Sequence, residues 1–210
     1  MSSNPAALLT RAKDYLCQSA ATMNAAAEHC LDSILKAAEM IGGAFKHGGK
    51  IMLCGNGGSA ADCQHMAAEF VGVLNKAHKR SGLPAIALTT DTSFLTAYAN
   101  DWGYDEIFER QVRTLGQADD VLICISTSGT SANILRGISA ARDIGIRTIA
   151  LTGAKGMRET TDVSINVPAT GTQHIQEAHI AIEHLICELV ESDLFDSARL
   201  VEQTAAKVKK

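Results

Sequence analysis

The chain has 210 residues, which suits one compact domain with an appendage, since a typical domain takes about 100–200 residues. With 46% apolar and 20% charged residues it can bury a real core, and its charge content is too low for a disordered protein. The formal net charge is -4 without a basic block, which argues against a nucleic-acid footprint, and no apolar run approaches the ~18 residues of a membrane span.

Met1–Thr10 lacks the basic, then apolar, then cleavable order of an export signal, so the expected location is cytoplasmic. The six cysteines (Cys17, Cys30, Cys54, Cys63, Cys124 and Cys187) form no CxxC pair and are expected to be reduced, buried small hydrophobes. The first fifty residues contain no convincing strand. Leu8 to Ala27 is rich in Ala, Leu and Met and suits a helix. Leu31, Ile34, Leu35, Ala38, Ile41 and Phe45 fall near helical spacing, closed by Gly42-Gly43 and Gly48-Gly49. With no room for a second core, these helices should cover their own domain or meet copies of themselves.

From residue 50 short apolar runs appear at Ile51–Cys54, Ala85–Leu88, Val121–Ile125, Thr148–Leu151 and Val163–Val167. Most are separated by stretches of helical length, which implies parallel strands joined by crossover helices, with helices on both faces of a five-stranded sheet. Between Leu151 and Val163 there is room for only a short helical turn. The last strong helix is expected over Gln173–Glu191, with Ile175, Ala178, His179, Ile182, Leu185, Ile186 and Leu189 as its apolar stripe and Gln176, Glu183 and His184 off it. After Asp193 there is space for a short final helix. The expected organisation is a helical oligomerisation segment at 1–49, a domain at 50–192, and a tail at 193–210 that either joins that domain or is disordered.

Two Gly/Ser-rich turns follow strands and open helices: Cys54-Gly55-Asn56-Gly57-Gly58-Ser59 and Ser126-Thr127-Ser128-Gly129-Thr130-Ser131. A helix N-terminus offers unpaired N–H groups and partial positive charge, and hydroxyls add donors, so the pair suits a phosphate at the carboxyl ends of the strands. Either turn alone would serve equally as a tight turn and helix cap. The nucleotide signatures GxxxxGK[ST] and GxGxxG are absent.

Asp62, His65 and Glu69 share one helix face within about 60° of each other. His and Glu four apart can bind one metal ion or share proton transfer, although an acid in a first turn and a surface pair are the plain alternatives. His179 lies on the apolar stripe and reads as a core histidine, whereas His184 sits about 140° away and is free to serve a site. Gln176 and His184 are separated by about 12 Å along a regular helix, so sharing one small ion needs a distorted helix start or two subunits. His29, His47, His78 and His174 read as surface residues.

Several segments, in order, resemble the sugar isomerase (SIS) domain of bacterial phosphoheptose isomerases. They are Ile51-Met-Leu-Cys-Gly-Asn-Gly-Gly-Ser-Ala-Ala-Asp62, Gln64-His-Met-Ala-Ala-Glu69, Pro84-Ala-Ile-Ala-Leu-Thr-Thr-Asp91, Ala99-Asn-Asp101, Ile125-Ser-Thr-Ser-Gly129 and Ile175-Gln-Glu-Ala-His179. The resemblance spans about Ala27 to Glu191. It implies a flavodoxin-like sheet and a homotetramer with the N-terminal helices at its centre and active sites shared between subunits. It further implies isomerisation of sedoheptulose 7-phosphate to D-glycero-D-manno-heptose 7-phosphate, a precursor of lipopolysaccharide heptose. By this resemblance Ser126, Thr127, Ser128 and Ser131 bind the phosphate. Asn56, Gly57 and Gly58 line the sugar, Asn100 and Asp101 lie nearby, and Gln176 also meets substrate. His65, Glu69, Gln176 and His184 match zinc-binding positions, with one ion per subunit, and Glu69 and His184 match the acid/base pair.

Ketose–aldose exchange moves a proton between adjacent carbons through an enediol, which needs a base for carbon and an acid for oxygen. A carboxylate bound to zinc is a weaker base, so Glu69's two implied roles pull against each other. The chain departs from many relatives at Val73 and His174, where Arg is common; Lys76, Lys79 and Arg80 are the basic groups near the first position. Two alternatives stand beside this reading. One is an isomerase of another phosphosugar. The other is a non-catalytic SIS protein acting through protein contacts, like the DnaA initiator-associating protein, which lacks the acid and histidine corresponding to Glu69 and His184.

Overall fold

The computed structural model describes the backbone of residues 4–76 and 79–208 and the side chains of 4–76 and 79–196; His78 lies outside the described residues. Two helices come first, α1 (Pro5–His29) and α2 (Leu31–Lys46). Pro5 at the first helical position and Asn4, whose Oδ1 accepts from the Ala6 N–H at 3.0 Å, fix the start of α1. Then follow β1 (Ile51–Gly55), α3 (Gly58–Val71), β2 (Ala85–Ala87), α4 (Thr92–Trp102), a 3-10 turn at Tyr104–Glu106 and α5 (Ile107–Leu115). The chain closes with β3 (Val121–Ser126), α6 (Ala132–Ile144), β4 (Arg147–Thr152), β5 (Val163–Asn166) and α7 (Thr172–Val208).

The five strands are all parallel in the order β2-β1-β3-β4-β5, and β1 and β3 are buried along their whole length. Strands covered on both faces read as unbroken apolar runs, which is why these two stand out in the sequence. Successive side chains point to opposite faces. Ile51, Leu53, Ile123 and Ile125 therefore join a core with α2, α3 and α7, while Met52, Leu122, Ile134 and Ile138 join the core with α5 and α6. The β4–β5 connection is the predicted exception and carries no helix.

The two N-terminal helices differ in how much of them the domain covers. In α2, Ile34, Ala37, Ala38, Ile41 and Ala44 enter the core, whereas of α1 only Ala26 is buried. The final helix differs from expectation: instead of stopping near Glu191 with a separate short helix after it, α7 runs unbroken to Val208. No Gly or Pro follows Gly171, so nothing in the sequence ends it. Among the described residues no helix is long and apolar enough to cross a membrane. Five of the six cysteines are buried and all are unpaired, with Cys17 exposed.

Candidate active site

The strand order reverses between β1 and β3, and in an open parallel sheet the crevice at that point, beyond the carboxyl ends, is where ligands sit. Both Gly/Ser-rich turns leave the sheet there. After β1, Gly57 takes φ +58, a backbone that other residues rarely adopt, and opens α3. Gly58 leaves room for a second chain segment: a Cβ there would stand 2.5 Å from the Gln176 amide nitrogen. Asn56 and Asn133 exchange two amide hydrogen bonds of 2.9 Å across the crevice, and the Tyr104 hydroxyl donates to Asn56 Oδ1 at 3.0 Å. Asn100 and Asp101 occupy the exposed last turn of α4, bonded to each other at 3.0 Å, just before the turn that carries Tyr104.

After β3, the hydroxyls of the second turn do different jobs. Ser126 is buried, with its Oγ accepting from the Gly129 N–H at 3.1 Å and lying 3.5 Å from Ser131 Oγ. Ser128 is exposed and accepts from both the N–H and the hydroxyl of Thr130. Ser131 begins α6 without a capping bond from its side chain. Thr127, Ser128 and Thr130 face a cavity of about 270 Å³ that also meets Lys155, Thr170 and Thr172.

A second group gathers where α3 and α7 lie side by side and run in the same direction, Gly58 against Gln176 and His65 against His184. His65 Nε2 lies 2.7 Å from His184 Nε2 and 3.7 Å from Glu69 Oε1. One ligand atom from each of the three residues falls within 4.8 Å of the others. Two histidine nitrogens and a carboxylate are a donor set suited to catalytic zinc with an open position; tetrahedral Zn–N bonds would hold the two nitrogens about 3.3 Å apart, a small opening from the spacing here. Gln176 does not join this cluster within the chain: its amide lies beside Gly58, two turns of α3 from His65.

Behind the cluster, Asp62 Oδ2 and both oxygens of Glu183 are buried without a hydrogen-bond partner. Burial, with the charge of Asp62 adding to it, pushes the Glu183 carboxyl up to about 9, so it is held as the neutral acid. The expectation that Glu183 lies off the packed stripe is corrected: it is fully buried, because α7 packs against α1, α2 and α3 and so is covered beyond one stripe. His174 is corrected likewise. Rather than a surface residue, it is buried where α1 crosses the first turn of α7. Its Nδ1 is 3.1 Å from Ser19 Oγ and 3.2 Å from Glu177 Oε2, and its ring sits 4.6 Å from that of Tyr15. His179 is the expected core histidine, its Nε2 donating to the Thr152 carbonyl at 3.2 Å.

Of the basic groups near Val73, Arg80 is fully engaged. Its guanidinium lies 2.6 Å from Glu191 and donates to the carbonyls of Glu69, Phe70 and Ser81 at 2.9, 2.8 and 2.9 Å, with its side chain 1% exposed. Glu191 also accepts from the Leu74 N–H. Lys76 and Lys79 are exposed. The sequence reading missed Asn133, Tyr104, Lys155 and Thr172. Asn133 alone left a signal, as a polar residue in the first turn of α6 beside the hydroxyl run.

The SIS domain model matches residues 14–153. The chain is 51% identical over 180 residues to a protein named phosphoheptose isomerase from Rhodospirillum rubrum, covering 85% of this chain and 95% of that one. Among solved structures, a phosphoheptose isomerase from Neisseria gonorrhoeae superposes with a TM-score of 0.81 at 43% identity, covering 88% of this chain and 99% of that one. One from Francisella tularensis gives 0.83 at 35% identity, covering 88% and 98%. The chain belongs to the SIS-domain family and, within it, to the phosphoheptose isomerases.

Proposed function

We propose that this chain interconverts sedoheptulose 7-phosphate and D-glycero-D-manno-heptose 7-phosphate, supplying a heptose precursor. The observation that carries the reading is the meeting of His65, Glu69 and His184 from two helices in a chain whose relatives bear that enzyme's name. The base takes a proton from C1 of the ketose and returns one to C2, while the acid gives a proton to O2 and O1 loses one, so the 1,2-enediol is the intermediate. Glu69 and His184 divide these duties. Asn56, held by Asn133 and Tyr104, and the Gly57-Gly58 backbone present polar groups to the sugar hydroxyls, with Asn100 and Asp101 at the rim. Ser126, Thr127, Ser128 and Ser131, with the N-terminus of α6, hold the phosphate.

His65, Glu69 and His184 would hold one zinc ion per subunit, which when bound would act as a Lewis acid on the carbonyl. Gln176, set apart within its own chain, serves the site of a neighbouring subunit. This agrees with an α1 whose Leu8, Leu9 and Leu16 stand 50%, 73% and 68% exposed, a surface suited to the centre of a homotetramer. The reading places the enzyme in the cytoplasm, where phosphorylated sugars are made.

The test is to incubate the purified protein with sedoheptulose 7-phosphate and follow aldoheptose 7-phosphate by NMR, before and after chelation, alongside light scattering for the oligomer. Product that Glu69→Gln abolishes supports the isomerase. No product with zinc added and the oligomer intact would move the reading to another phosphosugar or to a binding protein.

A further inference from the structure

We propose that Lys155 is a phosphate-binding residue of this chain, supplying the positive charge that offsets the sugar phosphate held at the 126–131 turn. The inference rests on the isomerase reading and deepens it by assigning a substrate contact. Lys155 is the one charged residue among those described around the cavity of about 270 Å³, where it faces Thr127, Ser128, Thr130, Thr170 and Thr172. It sits in the β4–β5 connection, the one crossover without a helix.

That connection is fastened to the hydroxyl turn on both sides of Lys155. The Gly153 N–H donates to the Thr127 carbonyl at 3.3 Å and the Arg158 N–H to the Gly129 carbonyl at 2.9 Å. The Ala154 N–H donates to the Ala169 carbonyl at 3.0 Å, tying the same loop to the segment that leads into α7. Gly129, at φ +67, lets the two loops touch: a Cβ there would stand 1.9 Å from the Gly156 carbonyl oxygen. The root of Lys155 is therefore held at a fixed place beside the hydroxyls, and only its side chain has to move.

The electrostatic need is equally specific. Hydroxyls and backbone N–H groups donate to a phosphate but carry no full charge, and a lysine supplies one as a compact, hydrated point charge. Arg158 is tied by its N–H to the Gly129 carbonyl but does not line the cavity. Arg80 is buried against Glu191. His174 packs its ring at a tilt against Tyr15 and faces Glu177. Val73 carries no charge at all. Lys155 is exposed, and no ion pair engages it among the described residues.

The experiment compares the full-length enzyme with Lys155→Met, Lys155→Arg and Ser128→Ala. It measures KM for sedoheptulose 7-phosphate and, by calorimetry, the affinity for inorganic phosphate, a readout that does not need turnover. Loss of a charge-assisted contact raises KM and weakens phosphate binding by about tenfold in Lys155→Met, and Lys155→Arg recovers most of both. If Lys155→Met leaves both unchanged while Ser128→Ala raises both, the turn binds phosphate and the role of Lys155 is overturned. If neither variant changes either quantity, the phosphate lies elsewhere and the assignment of the 126–131 turn falls with the proposal, whereas absence of turnover in the wild type is what would overturn the isomerase reading.

Discussion

The two ends of the site are made of different material. The end proposed for proton transfer consists of long side chains from two packed helices, with His65 and Glu69 on α3 meeting His184 on α7. The end proposed for the phosphate consists of short hydroxyls and backbone on a turn, braced by a neighbouring loop. Proton transfer needs a few lone pairs held at fixed spacing, which rigid helices provide; anion binding needs many donors at close range, which a turn at a helix N-terminus provides. The division implies that damage at the first end appears in kcat and damage at the second in KM. The largest expected effect tests it directly. Glu69→Gln and His184→Gln each lower kcat by about 10²–10⁴-fold with the oligomer intact and KM little changed. Near-normal turnover in either variant, measured by the NMR assay, breaks the division at its centre.

The same comparison asks what keeps the helical end rigid. Arg80 and Glu191 form a buried clamp: the guanidinium binds the Glu69 and Phe70 carbonyls at the end of α3 and the Glu191 carboxylate on α7. Removing one partner of a buried pair leaves the other charge stranded, at about 3–5 kcal/mol. Arg80→Met is therefore expected to lose stability on that scale in urea denaturation and to lower kcat as the spacing between Glu69 and His184 loosens. Adding Glu191→Leu should recover much of the stability without recovering kcat. Full recovery of kcat by the double variant would show that the clamp is not what spaces the pair.

How much of this was legible follows the same line. The turns and the β1 and β3 strands were readable because each is a local pattern: an unbroken apolar run, then glycines and hydroxyls. The His65–Glu69 pair was readable as a spacing of four on one helix. That it meets His184 was not derivable from periodicity, since 119 positions separate His65 from His184 and only the packing of α3 on α7 joins them; the family resemblance supplied that link. Glu183 and His174 were misread for one reason. A periodic pattern marks the face that meets the sheet, and it is silent about faces covered by other helices, here α1, α2 and α3. Lys155 lies in a helix-free loop with no periodicity to read, and Arg80, singled out with Lys76 and Lys79 as a basic group near Val73, carried no local sign of its burial against Glu191.

One residue connects the two ends. His179, on α7 between Gln176 and His184, donates to the carbonyl of Thr152, the last residue of β4 before the loop that carries Lys155. Burial lowers its pKa from 6.5 to about 4, so the folded protein holds it neutral. As pH falls below 6.5 the unfolded chain takes up this proton first. The stability that depends on the neutral form is complete above 6.5 and is lost on the way down to about 4, by about 3 kcal/mol in all. Thermal melts from pH 7 to 4 should fall more steeply in the wild type than in His179→Gln, which can still donate to Thr152. Parallel slopes would mean that another group sets the acid limit.

The smallest effects separate two serines of the 126–131 turn, although both stand in one motif. Ser126 is buried and accepts from the Gly129 N–H, so its hydroxyl shapes the turn. Ser128 is exposed at the cavity and, among the described residues, bonded to Thr130 alone, so its hydroxyl is available to a ligand. Ser126→Ala removes the hydroxyl acceptor of the Gly129 N–H and leaves it the Ser126 carbonyl at 3.2 Å, so it is expected to cost at most about 1 kcal/mol in stability, with a KM increase as the turn loosens. Ser128→Ala should raise KM severalfold while leaving the melting temperature unchanged. The measurement is the pair of readouts on both variants. A KM rise confined to Ser126→Ala would mean that the shape of the turn, more than its exposed hydroxyl, is what the phosphate recognises.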